Sequence, residues 1–287
     1  MKTLLDLVKI RITVLVSITT GFGYLLSKGE IDFGVIYPVI GIFLTACGSA
    51  AINHLQEIDI DLKMNRTRNR PLPAGSLSSM QVILIASAFI VSGSLLLLFM
   101  TSYVEMLLGL LAVVWYNVIY TPMKRKNPFA VVPGSIIGSI PPVAGWVAGG
   151  GDLTSPESIF LAFFFFIWQI PHFWLLLLFL NKDYVSSGLP TIMSRFSEEQ
   201  LARITFAWIF ATALSALLFP MFNLVSGWVA LLMIIFSAGA LVIYSIQLLK
   251  HDTGRPAFRK AFMGINYFVL YLVLVVSIDK LIPKGLF

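Results

Sequence analysis

An all-α polytopic membrane protein is the fold class this sequence predicts, with nine transmembrane helices around a central cavity. Three observations carry that expectation. The 287 residues are 58% hydrophobic and only 12% charged, about half the charge of an ordinary soluble domain. The mean hydropathy is +0.89. Apolar runs long enough to cross a bilayer core, about 20 residues as a helix, recur from end to end. The chain reads as one transmembrane domain, residues 1–287.

The first span, 12–27, follows Lys9 and Arg11, which interrupt any cleavable leader pattern. The second, 34–56, runs into the most polar stretch of the chain, NHLQEIDIDLKMNRTRNRPLP at 53–73. Spans three and four cover 80–100 and 103–120, with Glu105 inside the fourth. The fifth, 131–149, holds Pro133, Pro141 and Pro142 among Gly134, Ser135, Gly138, Ser139 and Gly145. Small residues let membrane helices approach closely, and prolines break or kink them. The sixth, 158–180, contains His172; the rest are 204–221, 225–248 and 262–283. Spans two and six each end in an acidic motif four spans apart, the pattern of a weak parallel repeat of spans 1–4 and 5–8 with a ninth helix added.

With the N-terminus inside, 17 of the 20 Lys and Arg residues fall in cytoplasmic segments, leaving Lys28, Lys280 and Lys284 outside. The positive-inside rule asks for this asymmetry. It predicts a multi-pass protein of a bacterial inner membrane, with the N-terminus and the long polar loops cytoplasmic and the C-terminus outside. The net charge of +6 therefore belongs to topology, not to nucleic acid. The single cysteine, Cys47, lies in an apolar run and reads as a core residue, and three histidines give no zinc pattern.

Within 53–73, Asn53, Glu57 and Asp61 are spaced i, i+4, i+8 and share one helix face over roughly 12 Å. Asp59 points elsewhere. Carboxylates repeated on one face near hydrocarbon repel one another unless a cation neutralises them. Hard oxygen donors suit Mg²⁺, which binds through one or two carboxylates plus substrate phosphates. Arg66 and Arg70 follow in one short loop, and guanidinium groups bind phosphate oxygens in bidentate fashion. Lys63 and Arg68 read equally well as topology anchors. The outline is a Mg²⁺–diphosphate site. Lys124 and Arg125, in YTPMKRKNP at 120–128, sit where they could clamp the same phosphates or simply anchor the span.

The third polar cluster is WQIPHFWLLLLFLNKDYVSSGLP at 168–190. An ionisable residue inside a span, here His172 with Trp168 one turn before it, is a functional candidate by default. Asp183 at the span's end could be a second metal ligand or a helix-end residue.

The Asn53-x-x-x-Glu57-x-x-x-Asp61 pattern resembles the first aspartate-rich motif of the UbiA-type intramembrane prenyltransferases. MNRTRNRPLPAG, YTPMKRKNP, GSIPPVAGWVAGGG, WQIPHFW and DYVSSGLP are similar to the protohaem IX farnesyltransferase branch. The chain departs from that pattern at Glu57, where Asp is commoner, and at Lys9-Ile10-Arg11-Ile12, where Lys-Pro-Arg-Ile is expected. It departs again at Asn181-Lys182-Asp183-Tyr184, where a lysine replaces an acid; there Lys182 would bind phosphate, or Asp183 would share a metal with the first motif.

The resemblance implies farnesyl transfer from farnesyl diphosphate to a vinyl group of haem b, giving haem O, with Mg²⁺ on Asn53, Glu57 and Asp61. Arg66, Arg70, Lys124 and Arg125 would stabilise the departing diphosphate. Tyr116, Tyr120, Phe173 and Trp174 would wall the allylic cation. Trp168, His172, Lys182, Asp183 and Tyr184 would contribute to substrate binding, His172 as an iron ligand or a propionate partner. Haem b, farnesyl diphosphate, the bilayer and haem A synthase are the implied partners. Rival readings are a relative acting on a quinone precursor or another tetrapyrrole, a transporter, and a non-catalytic assembly factor. No acid sits at the bilayer midplane, where a transporter would need it.

Overall fold

The computed structural model describes residues 2–180, 188–250 and 254–282, and among these no strand occurs. A short helix, α1 (Lys2–Leu7), precedes the first long one, α2 (Ile10–Lys28). Then come α3 (Ile36–Gln56), the short α4 (Ile58–Lys63) and α5 (Ser79–Met100). The fourth span joins α6 (Tyr103–Val114), a π-helical turn (Trp115–Tyr120) and α7 (Thr121–Met123). The fifth is split into α8 (Val131–Gly134) and α9 (Ile136–Ala148). The last four are α10 (Pro156–Phe179), α11 (Glu198–Ala216), α12 (Trp228–Ser245) and α13 (Arg255–Leu281).

Eight segments among the described residues are long and apolar enough to cross a membrane. The expected seventh span corresponds to α11. It starts six residues earlier than 204 and carries Glu198, Glu199 and Arg203 in its first two turns, too much charge for it to count as an apolar span on its own. The protein is a multi-pass membrane protein.

Helix starts follow their sequence signals. Ser78 with Gln81, and Ser197 with Gln200, form reciprocal capping boxes at α5 and α11. Ser155 caps α10, whose first residue is Pro156. Ser102 caps α6 and also donates to Glu105, which explains an acid buried in the first turn of a span. At the opposite end of the bundle from α4, Asp279 of α13 accepts from the backbone N–H groups of Ser226 (2.8 Å) and Gly227 (2.9 Å), closing the start of α12.

Two regions hold the bundle together. α2 crosses α9 backbone to backbone. A Cβ on Gly23 would lie 1.9 Å from the Pro142 carbonyl oxygen, and one on Gly145 would lie 1.8 Å from that of Thr20. Only glycine permits this approach. The largest core lies between α10, α11 and α13, where Phe160, Phe164, Phe165 and Phe219 pack edge to face.

Candidate functional site

The site is assembled where α3 passes into α4. The expected unbroken helix is bent there: Glu57 leaves helical backbone (φ −112°, ψ 11°). Two bonds carry the register across the joint. Glu57 N–H donates to the Asn53 carbonyl (3.1 Å), and Asp61 N–H to that of Glu57 (2.8 Å). Asn53, Glu57 and Asp61 therefore stay in step, and all are buried, at 0%, 6% and 2% exposure.

A different cation meets each of the three. Lys9 donates to Asn53 Oδ1 at 2.5 Å. Lys124 pairs with Glu57. Arg70 donates from Nη1 to both oxygens of Asp61 at 2.9 Å. The Thr67 hydroxyl donates to the Asp61 carbonyl (3.1 Å) and folds the loop so that Arg70 comes back. Lys9 reaches the site because the backbone turns there between α1 and α2, with φ 50° and ψ 51°. This left-handed conformation costs a non-glycine residue roughly 1–2 kcal/mol. Burial pushes the Lys9 ammonium down to about 7, opposed by nearby Glu57 and assisted by Arg70 and Lys124. Burial pushes the Glu57 carboxyl up, but Lys124 and Lys9 hold it below the usual carboxylate range. Lys124 and Arg70 balance the two buried carboxylates, and Lys9, poised near neutrality, adds positive charge when protonated, a setting suited to a phosphate.

One wall comes from the π-helical turn Trp115–Tyr120, a distortion that re-aims side chains and is frequent at functional sites. Lys9 Nζ donates to Tyr116 Oη (3.3 Å) and lies 5.8 Å from that ring's centre; Lys124 Nζ lies 5.9 Å from the ring of Tyr120. Asn53 Nδ2 donates to Thr121 Oγ1 (3.1 Å), Gln56 Nε2 to the Asn117 carbonyl (2.8 Å) and Asn117 Nδ2 to Ser49 Oγ (2.6 Å). These bonds fasten the distorted turn to the end of α3.

From there a chain of rings leads away. Tyr116 stacks on Tyr120 (5.8 Å), Tyr120 on Phe173 (6.2 Å), and Phe173 meets His172 edge on (5.7 Å). Phe262 (4.9 Å) and Trp168 (5.1 Å) flank the imidazole. His172 Nδ1 lies 2.8 Å from Asn266 Oδ1 on α13.

Several expected site residues stand elsewhere. Arg66 is exposed, while Arg70 from the same loop reaches the buried acid. Arg125 turns away from Glu57: it forms a bidentate pair with Asp59 (2.7 and 2.9 Å) and donates to the Gln56 carbonyl. The guanidinium hydrogen bonds hold the Asp59 carboxyl below its ordinary value. Trp174 is buried in the core, edge to face with Trp208. Lys182, Asp183 and Tyr184 lie outside the described residues.

The sequence pattern missed Lys9 as a site residue, although a lysine at the mouth of an apolar span was a visible signal. It also missed Asn117, Thr121 and Asn266, lone polar groups in apolar runs. His54, fully buried beside Asn53, has no hydrogen-bond partner for either ring nitrogen among the described residues.

Asn53, Glu57 and Asp61 offer hard oxygen donors that fit Mg²⁺. No group of three His, Cys, Asp or Glu side chains gathers among the described residues, so a divalent ion here needs further oxygen ligands from a substrate.

The model of the UbiA prenyltransferase family matches residues 14–267. A protoheme IX farnesyltransferase of Nitratidesulfovibrio vulgaris is 32% identical over 98% of this chain and 96% of its own. One of Christiangramia forsetii is 34% identical over 97% and 93%. Among solved structures, a digeranylgeranylglyceryl phosphate synthase superposes with a TM-score of 0.79 at 16% identity, covering 98% of both chains. A UbiA homologue from Archaeoglobus fulgidus, bound to DMAPP and Mg²⁺, gives 0.70 at 16%, over 96% of this chain and 99% of that one. At such identity the structural likeness concerns the fold alone.

Proposed function

The chain belongs to the UbiA prenyltransferase family, within the branch of the protoheme IX farnesyltransferases, and on that premise we propose that it transfers the farnesyl group of farnesyl diphosphate to a vinyl group of haem b, giving haem O and diphosphate. The observation that carries this reading is the continuous aromatic wall from the cation–carboxylate cluster to His172. It joins a place for a diphosphate to a place for a flat, metal-bearing acceptor.

Asn53, Glu57 and Asp61 would hold Mg²⁺, which when bound supplies charge neutralisation for the leaving diphosphate. The protein's own groups do the rest. Lys9, Lys124 and Arg70, each already facing the cluster, would take the phosphate oxygens when substrate displaces them from their partners. Charge develops on the diphosphate as the allylic C–O bond breaks, and preformed cations in a dry site stabilise that change most. The rings of Tyr116, Tyr120 and Phe173 face the carbocation, each worth about 0.5–2 kcal/mol. The vinyl group then supplies the electron pair for the new C–C bond. Water adds its hydroxyl to the resulting cation and releases a proton.

The basic loops point to a cytoplasmic site in a bacterial inner membrane, with haem A synthase as the enzyme that takes the product onward. Purified protein incubated with haem b, farnesyl diphosphate and Mg²⁺, followed by mass analysis of the extracted haem, tests the reading. A haem carrying hydroxyethylfarnesyl supports it; unchanged haem, with transfer to a quinone precursor instead, overturns it.

A further inference from the structure

Resting on the farnesyltransferase reading, we propose that His172 binds the iron of the acceptor haem through Nε2, and that Asn266 is the positioning residue that fixes the imidazole for this task.

The argument starts from the amide. Asn266 Nδ2 donates to the carbonyl of Phe262, one turn earlier on α13, at 2.5 Å. That bond settles which end of the amide is which: the reverse orientation would set two oxygens against each other at that distance. The other end, Oδ1, therefore faces His172 Nδ1 at 2.8 Å. An amide oxygen only accepts, so Nδ1 carries the proton. In the neutral ring the lone pair is then on Nε2. No hydrogen-bond partner for Nε2 occurs among the described residues.

This decides between the two roles open to an acceptor-side histidine. A haem propionate needs a donor. The one N–H of this tautomer is already spent on Asn266, so Nε2 has no proton to give. A metal needs a lone pair, and Nε2 supplies it. An imidazole whose far nitrogen is anchored by a second group is the usual form of a metal-ligating histidine, because the anchor fixes ring orientation and raises ligand basicity. The rings of Trp168, Phe173 and Phe262 surround the imidazole. Phe173 also ends the aromatic chain from the diphosphate cluster. Ligation at His172 would thus set the macrocycle on the wall that leads back to the diphosphate cluster, where a vinyl group must meet the allylic carbon.

The test compares haem b with metal-free protoporphyrin IX on the full-length detergent-solubilised protein, without farnesyl diphosphate. The wild type should show the optical and electron-paramagnetic signature of a nitrogen axial ligand. His172→Ala should lose that signature, regain it on addition of imidazole, and bind protoporphyrin IX as the wild type does. Asn266→Leu should weaken haem binding by about 10- to 100-fold and leave protoporphyrin IX binding unchanged. Asn266→Asp, which keeps an acceptor, should restore tight binding and stiffen the iron–imidazole bond seen by resonance Raman.

If His172→Ala weakens both porphyrins equally, or the wild-type spectrum lacks a nitrogen ligand, the assignment is wrong. Farnesylated haem from that same wild-type preparation would then leave the farnesyltransferase reading standing. A histidine-ligated spectrum from a protein that never farnesylates haem would do the reverse.

Discussion

The two ends of the aromatic wall satisfy their polar groups in opposite ways. At the α3–α4 end, Asn53, Glu57 and Asp61 are each held by a cation from a distant part of the chain, Lys9, Lys124 and Arg70. At the α10–α13 end, a single imidazole is tied by one hydrogen bond to one amide. The first arrangement is a shared network, in which removing one member leaves a buried charge behind. The second is a directed contact, in which one atom is held still so that another is available. The difference teaches how each end should fail: the network collectively, the contact locally.

The largest effect should come from the network's acids. Glu57→Gln and Asp61→Asn should each lower the transfer rate by about 10²–10³-fold, with the protein still inserted and folded, as initial rates of haem O formation would show. Full turnover in both variants would break the comparison. Next, Glu57→Gln made on a Lys124→Met background should cost much less than it does alone. The expected coupling is about 0.5–3 kcal/mol, read from a double-mutant cycle of rates; additive losses would mean the two groups do not act together.

A structural effect of similar size should appear away from both ends. Gly145→Ala pushes a Cβ into the Thr20 carbonyl and should lower stability by about 1–3 kcal/mol, seen as a lower midpoint of thermal unfolding in detergent. Along the wall, Tyr120→Leu removes the ring beneath Lys124. It should slow transfer by roughly 2- to 30-fold, and Tyr120→Phe should recover most of that. The smallest effect belongs to exposed Arg66: Arg66→Ala should change the rate by about twofold or less. A large loss there would show that the loop rearranges around the substrate.

The spans and the carboxylate face were legible because both depend on periodicity. Apolar length reports a span, and the i, i+4, i+8 spacing of Asn53, Glu57 and Asp61 survives even the bend at Glu57, since two i→i+4 backbone bonds cross it. Pairing was not legible, because it depends on how distant segments meet. Lys9 lies 44 residues from Asn53, and nothing local says that the backbone will turn left-handed to deliver it. Arg125 and Lys124 are neighbours in sequence, yet one meets exposed Asp59 and the other buried Glu57. Composition cannot separate two adjacent cations whose side chains diverge. The same holds for Phe173 and Trp174, one on the wall and the other in the core. The π-helical turn leaves no mark on hydrophobic spacing, and Asn266 stood out only as one amide in an apolar helix.

Direct binding of farnesyl diphosphate to the purified protein, with and without Mg²⁺, tests the central claim most closely. Binding should be tight only with the ion present, and the ion should add nothing in the Glu57→Gln/Asp61→Asn double variant. Equal affinity in the presence of a chelator, or an unaltered Mg²⁺ dependence in that variant, would contradict the claim that these buried acids gather the ion that grips the diphosphate.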